Sequence, residues 1–236
     1  MKHIAFLFVW MLILISAASS QTVVISEENP DRVYEETDWG PNKQHFGYWF
    51  VNYGLPVPLM TDNHLKTLSS GHWNAGYAYK IRMFSFMDVA AELSYSNYFY
   101  ALNKDAREDV IWPGQNWDKI RTKQNGLKAS LFFRLYMNPK RGNYFGTYVD
   151  LGGFVDYHLS SGWVYKYKDD DYKRMLRVRH DDDFETFNYG PTVALGRDQF
   201  SLFVQYNMKD VIAGRSSYPD MPHFIFGLKI NMYSAF

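Results

Sequence analysis

Leu127-Lys128-Ala129-Ser130-Leu131-Phe132-Phe133-Arg134-Leu135-Tyr136-Met137 decides the fold class. Apolar residues fall at every second position from Leu127 to Met137, and Lys128, Ser130, Arg134 and Tyr136 fall between them, with Phe132 as the exception. A period of two is the signature of a strand with two unlike faces. The pattern recurs on both sides of this stretch. Val149, Leu151, Val155, Tyr157 and Leu159 alternate with Tyr148, Asp150, Gly152, Asp156 and His158. Phe224, Phe226, Leu228, Ile230 and Met232 alternate with Ile225, Gly227, Lys229, Asn231 and Tyr233. Trp73–Met83, Met87–Phe99, Phe187–Gly196 and Phe200–Met208 follow the same rule, and His45–Gly54 is aromatic and ambiguous in face. The expectation is about eight strands of about ten residues, the length a tilted strand needs to cross a bilayer.

The connections carry a second signal. Leu55–His72, Ala101–Asn125, Ser160–Thr186 and Lys209–Pro222 are long, whereas Phe84–Phe86, Asn138–Asn143 and Gly196–Gln199 are short, and the two kinds alternate. Such sorting is that of an up-and-down transmembrane barrel with short periplasmic turns and long extracellular loops. The polar face collects five cations and four anions: Lys80, Arg82, Asp88, Glu92, Lys128, Arg134, Asp150, Asp156 and Lys229. Inside a narrow barrel filled by side chains these would neutralise one another. The opposite face, with Leu131, Phe133, Leu135, Val149, Leu151, Val155, Phe226, Leu228 and Ile230, would then meet lipid. Tyr48, Trp49, Phe50, Trp73, Tyr77, Tyr79, Tyr95, Phe99, Tyr144, Phe145, Tyr157, Phe187, Tyr189, Phe200, Tyr206 and Tyr233 crowd toward strand ends, as aromatic girdles at two interfaces would.

The 236 residues begin with an address. Lys2 and His3, an apolar run Ile4–Ile15 and the small residues Ser16–Ser20 have the layout of a secretory signal peptide over residues 1–20. Residues 21–44, with Glu27-Glu28 and Glu35-Glu36, read as a polar periplasmic lead-in, and 45–236 as the barrel domain. The sequence holds no cysteine, which excludes disulfides, thiolate metal sites and a lipid-modified cysteine anchor. Lys+Arg and Asp+Glu number 25 each, so bulk positive charge for nucleic acid is lacking. A mean hydropathy of −0.36 excludes a polytopic helical membrane protein.

Ordered segments of the chain resemble the PorT-like outer-membrane β-barrel family of Bacteroidetes-type bacteria. The similarity lies in Lys43–Tyr48, the hairpin Asn74–Tyr100, the pair Asn188–Gly196 and Phe200–Asn207, and the closing Phe224–Ile230. Phe236 is similar to the C-terminal aromatic that the barrel-assembly machinery reads, although Ser234 departs from the usual pattern. The resemblance implies an integral outer-membrane protein, with some relatives in secretion or gliding machinery, and carries over no catalytic residue. Partners expected on this basis are outer-membrane lipid and lipopolysaccharide, the assembly machinery and other envelope proteins.

Chemistry-bearing motifs are sparse. Asp169–Asp171 and Asp181–Asp183 flank the basic run Lys173–His180, residue types suited to a divalent-cation or lipopolysaccharide contact in the longest outer loop, but the spacing of a calcium loop is missing, so a solvated charged loop is expected and no metal or cofactor. His158 with Asp156, Asp150 and Ser160-Ser161 has the residue types of a lipid-modifying barrel enzyme. Lumen filling is the expectation for them, and no catalytic residue is assigned. The competing classes are a soluble lipocalin-like barrel with an apolar lumen and that barrel enzyme.

Overall fold

The computed structural model describes residues 40–59, 65–103, 118–139, 142–168, 173–179, 183–212 and 221–233. Residues 1–20, expected to be a signal peptide, residues 21–39, Asp169–Asp171, Asp181, Asp182 and Phe236 lie outside the described residues. In chain order the strands are β1 (His45–Val57), β2 (Gly71–Phe84), β3 (Met87–Ala101), β4 (Lys119–Tyr136), β5 (Thr147–Lys168), β6 (Lys173–Arg179), β7 (Phe187–Arg197), β8 (Phe200–Tyr206) and β9 (Phe224–Met232). One 3-10 turn, Thr67–Ser69, precedes β2.

Eight of these strands close a ring. The order β4-β3-β2-β1-β9-β8-β7-β5 is sealed by pairing of β4 with β5, and every neighbour is antiparallel. Closure removes the open edges that would otherwise present unpaired backbone groups. The result is an eight-stranded, antiparallel, up-and-down β-barrel. The sequence periodicity dictates the register, because a slip by one residue would turn Arg134 and Asp150 outward and Leu131 and Leu151 inward.

The ninth strand corrects one expectation. Ser160–Thr186 is not one long loop: β5 runs for 22 residues, and its far end, Gly162–Lys168, pairs with β6. The basic run read as a solvated loop is therefore mostly strand. β4 likewise begins at Lys119, inside the segment expected to be loop. The cause is a change of side chain where β4 and β5 outrun the apolar belt. Four of the six outward positions there, Lys119, Arg121, Lys123 and Lys166, are basic, so the alternation is present but its chemical contrast is reversed.

At the end with the short turns, Asp198 adopts φ 52° and its carboxylate accepts the Gly146 N–H at 2.9 Å, tying two turns together. Aspartate tolerates this left-handed geometry better than most residues. On the ring wall, Gly152 sits opposite Phe132, and a Cβ there would lie 2.2 Å from the Leu131 carbonyl oxygen. Gly152→Ala should therefore lower stability by about 1–3 kcal/mol through overpacking. Urea unfolding followed by tryptophan fluorescence reads this, and an unchanged midpoint would contradict the close approach.

Candidate functional site

The polar faces of the ring converge on an ionic interior. Lys80, Asp88, Glu92, Lys128, Arg134, Asp150, Asp156 and Lys229 are all buried, four cations against four anions. Strand parity puts them there, and cross-strand register brings partners opposite: Arg134 faces Asp150 and Lys128 faces Asp156 across β4–β5. Lys80 Nζ donates to Asp88 at 2.6 Å, with the Tyr136 hydroxyl donating to the same carboxylate. Arg134 donates to both oxygens of Asp150, at 2.7 and 2.8 Å. Lys229 pairs with Glu92 from the far wall. Burial without such partners would cost several kcal/mol per ion.

Aromatic rings complete the cage. The Arg134 guanidinium carbon lies 3.9 Å from the Tyr148 ring centre, 4.5 Å from Phe145, 5.5 Å from Phe132 and 5.8 Å from Tyr48. Lys229 stands over Phe50 at 4.6 Å and Lys128 over Phe154 at 4.4 Å. Cation–π attraction of this kind strengthens when water is excluded. Between these layers lies a cavity of about 30 Å³ lined by Glu92, Lys128, Asp150, Gln205 and Lys229, among others. It has room for about two waters.

Lys128 and Asp156 are satisfied differently. Lys128 Nζ donates to Gln205, while Asp156 accepts from Ser96 at 2.8 Å and from the Tyr98 hydroxyl at 2.9 Å. His158 donates from Nδ1 to the Glu185 carbonyl at 2.8 Å, leaving Nε2 3.9 Å from Asp156. His72 stacks on Tyr98 with ring centres 4.1 Å apart. Asp156 thus spends its oxygens on Ser96 and Tyr98, so it is a poor orienter for a catalytic histidine. Ser160 is half-buried and Ser161 buried in β5.

Both mouths are plugged. Phe46, Tyr48, Phe50, Tyr136, Phe145 and Tyr148 pack together at the short-turn end, with Tyr233 against them. Burial pushes the Tyr233 phenol above its ordinary pKa. At the long-loop end Leu65, Leu102, Ile120, Trp163, Phe184, Ile212 and Met221 belong to one cluster. Lys209 pairs with Glu185 at 2.8 Å on that rim, and the hydrogen bond raises the Lys209 pKa.

Arg82 does not join the network. It is half-buried at the short-turn end, and its guanidinium donates to the carbonyls of Asn42 at 2.6 Å, Phe84 and Ser85. Its position beside the β2–β3 turn offers backbone oxygens nearer than any carboxylate. On the outer face, Leu131, Phe133, Leu151, Val155, Phe226 and Ile230 are exposed, and Leu135, Val149 and Leu228 are half-exposed. Tyr48, Phe50 and Phe145, expected in an aromatic girdle, point inward instead. For Tyr48 and Phe50 the signal was the parity of β1, where Phe46, Tyr48 and Phe50 share one face and Trp49, Val51 and Tyr53 the other. Phe132 also belongs inside, in phase with Lys128 and Arg134. Among the described residues no cluster of three or more His, Asp or Glu could hold a metal ion.

No protein-family model matches the chain, and no curated protein matches it in sequence.

Removing one partner of the buried pair is the sharp test. Asp150→Asn should cost about 3–5 kcal/mol by stranding Arg134, and Arg134→Met in the same chain should recover much of that loss. A double-mutant cycle from urea midpoints measures it. Additive losses would show that the two groups do not interact.

Proposed function

We propose that the chain is an integral outer-membrane β-barrel with a structural or interaction role in the cell envelope. The single observation that carries the reading is the inversion of the two faces. Leu93 is 63% exposed and Leu131 57% exposed, while Arg134 is 1% exposed and Asp156 fully buried. A soluble barrel keeps apolar side chains inside and ionic ones in water, and monomeric soluble proteins rarely expose apolar patches of more than a few hundred Å². A lipid-facing barrel needs the opposite arrangement.

The alternating connection lengths and the signal-like residues 1–20 support the same reading. The plugged, charge-neutral interior favours an anchor or docking component over a conduit. We place the protein outside the enzymes for the same reason, since its interior carboxylates are engaged by structural partners. Membership of secretion or gliding machinery is the finer form of this proposal, and it rests on the resemblance to PorT-like proteins. Partner contacts would fall to the long loops and to residues 21–44.

Carbonate washing of membranes, with flotation on a density gradient, tests the reading. The full chain should remain with the membrane and show heat-modifiable migration, and release into the soluble fraction would favour a lipocalin-like module instead. Leu131→Arg gives the second arm. It should cost about 2–4 kcal/mol in a bilayer and sharply reduce assembled barrel, whereas on a water-facing surface the change would be nearly neutral.

A further inference from the structure

Beyond the apolar belt, β4, β5 and β6 continue as a three-stranded sheet at the long-loop end. Its inner face packs on the plug: Ile120 is 1% exposed, Trp163 is 2% exposed and Val178 lies against the same cluster. Directly opposed residues of an antiparallel pair share a face. The outer face therefore carries rows that the register defines. Lys123, Gly162 and Arg179 form one, Arg121, Val164 and Arg177 the next, and Lys119, Lys166 and Met175 the third. These rows hold six cations and no carboxylate.

Three features point to an anion. Lys119 and Lys166 are directly opposed, a like-charge pairing that destabilises a bare sheet. Arg121 Nε is buried without a hydrogen-bond partner among the described residues, and no side-chain hydrogen bond or ion pair ties Lys119, Lys123, Lys166 or Arg177 to another described residue. Val164 lies between Arg121 and Arg177, whose strands are roughly 10 Å apart, two strand spacings, so these two long side chains can close on one phosphate, whereas Arg179 already donates to the Leu159 carbonyl at 3.3 Å. Position names the source. Lys123 lies four residues along β4 from the exposed Leu127, roughly 13 Å at strand rise, just outside the apolar face.

We infer that this face binds the phosphates of a phosphorylated lipid headgroup in the leaflet around the long-loop end. The inference deepens the membrane reading and rests on it. Guanidinium forks suit bidentate contact with phosphate, and lysines at the edge add screened attraction.

The test uses the full chain reconstituted in phosphatidylcholine vesicles, with diphosphoryl lipid A as probe and dephosphorylated lipid A as control. The wild-type chain should retain diphosphoryl lipid A preferentially. Arg121→Gln with Arg177→Gln should weaken that retention by about tenfold while leaving insertion and heat-modifiable migration unchanged. Lys119→Gln with Lys166→Gln supplies an independent pair should the arginine variant fail to assemble, and the same loss is expected. Equal retention of the two lipids by an inserted wild-type barrel would overturn the site and leave the membrane reading standing. Failure of the wild-type chain to insert would overturn both. Displacement of the probe by an equal concentration of inorganic phosphate would overturn the lipid assignment in favour of a free-anion site.

Discussion

Charge neutrality inside a sealed ring is the constraint on which this structure depends. Once β4 pairs with β5, the interior has no route by which a long side chain can return its charge to water. Every ion trapped there needs a counter-ion, a hydrogen-bond acceptor or an aromatic face. The four cations and four anions meet that demand in three direct pairs, with Gln205 serving Lys128 and Ser96 and Tyr98 serving Asp156. Arg134 is the most heavily supported, with a two-point bond to Asp150 and four rings around its guanidinium.

Buried ion pairs are weak evidence for stability, because desolvation offsets much of their attraction. Their contribution here is to register. Arg134 and Asp150 sit opposite each other on the two strands that close the barrel, and Lys229 on β9 reaches Glu92 on β3 across the lumen. Any slip in strand pairing separates these partners and leaves charges stranded. The outer face imposes the complementary condition, since the same slip would replace exposed Leu131 and Leu151 with ionic side chains. Two faces with opposite demands specify one pairing. Within this packing lies a small cavity between two plugs, which favours the proposed anchoring or docking role.

Much of the fold was legible in the sequence because a strand has a rigid period of two. Parity alone assigned Lys128 and Arg134 to one face and Leu131 and Leu135 to the other. It failed where chemistry and parity disagreed. Phe132 looked like an error in the pattern, yet it lies on the interior face beside Arg134 and Lys229 because a desolvated cation benefits from a ring. Tyr48, Phe50 and Phe145 read as girdle residues, since amphipathic rings suit both an interface and a plug. Arg82 had the right parity but sat one step too near the turn, where carbonyl oxygens compete for its guanidinium. β6 was missed because Arg177 and Arg179 stand among its outward residues, which makes a strand beyond the apolar belt resemble a charged loop.

By itself the sequence determined which residues share a face, how many strands close the ring and how the connections alternate in length, since these follow from local periodicity and turn chemistry. Only the tertiary structure decided which cation meets which anion, that Arg82 stands apart and that β4, β5 and β6 extend together past the ring. Those outcomes depend on distances between residues as far apart in the chain as Glu92 and Lys229. Such distances exist only once curvature and closure have brought the walls of the barrel together.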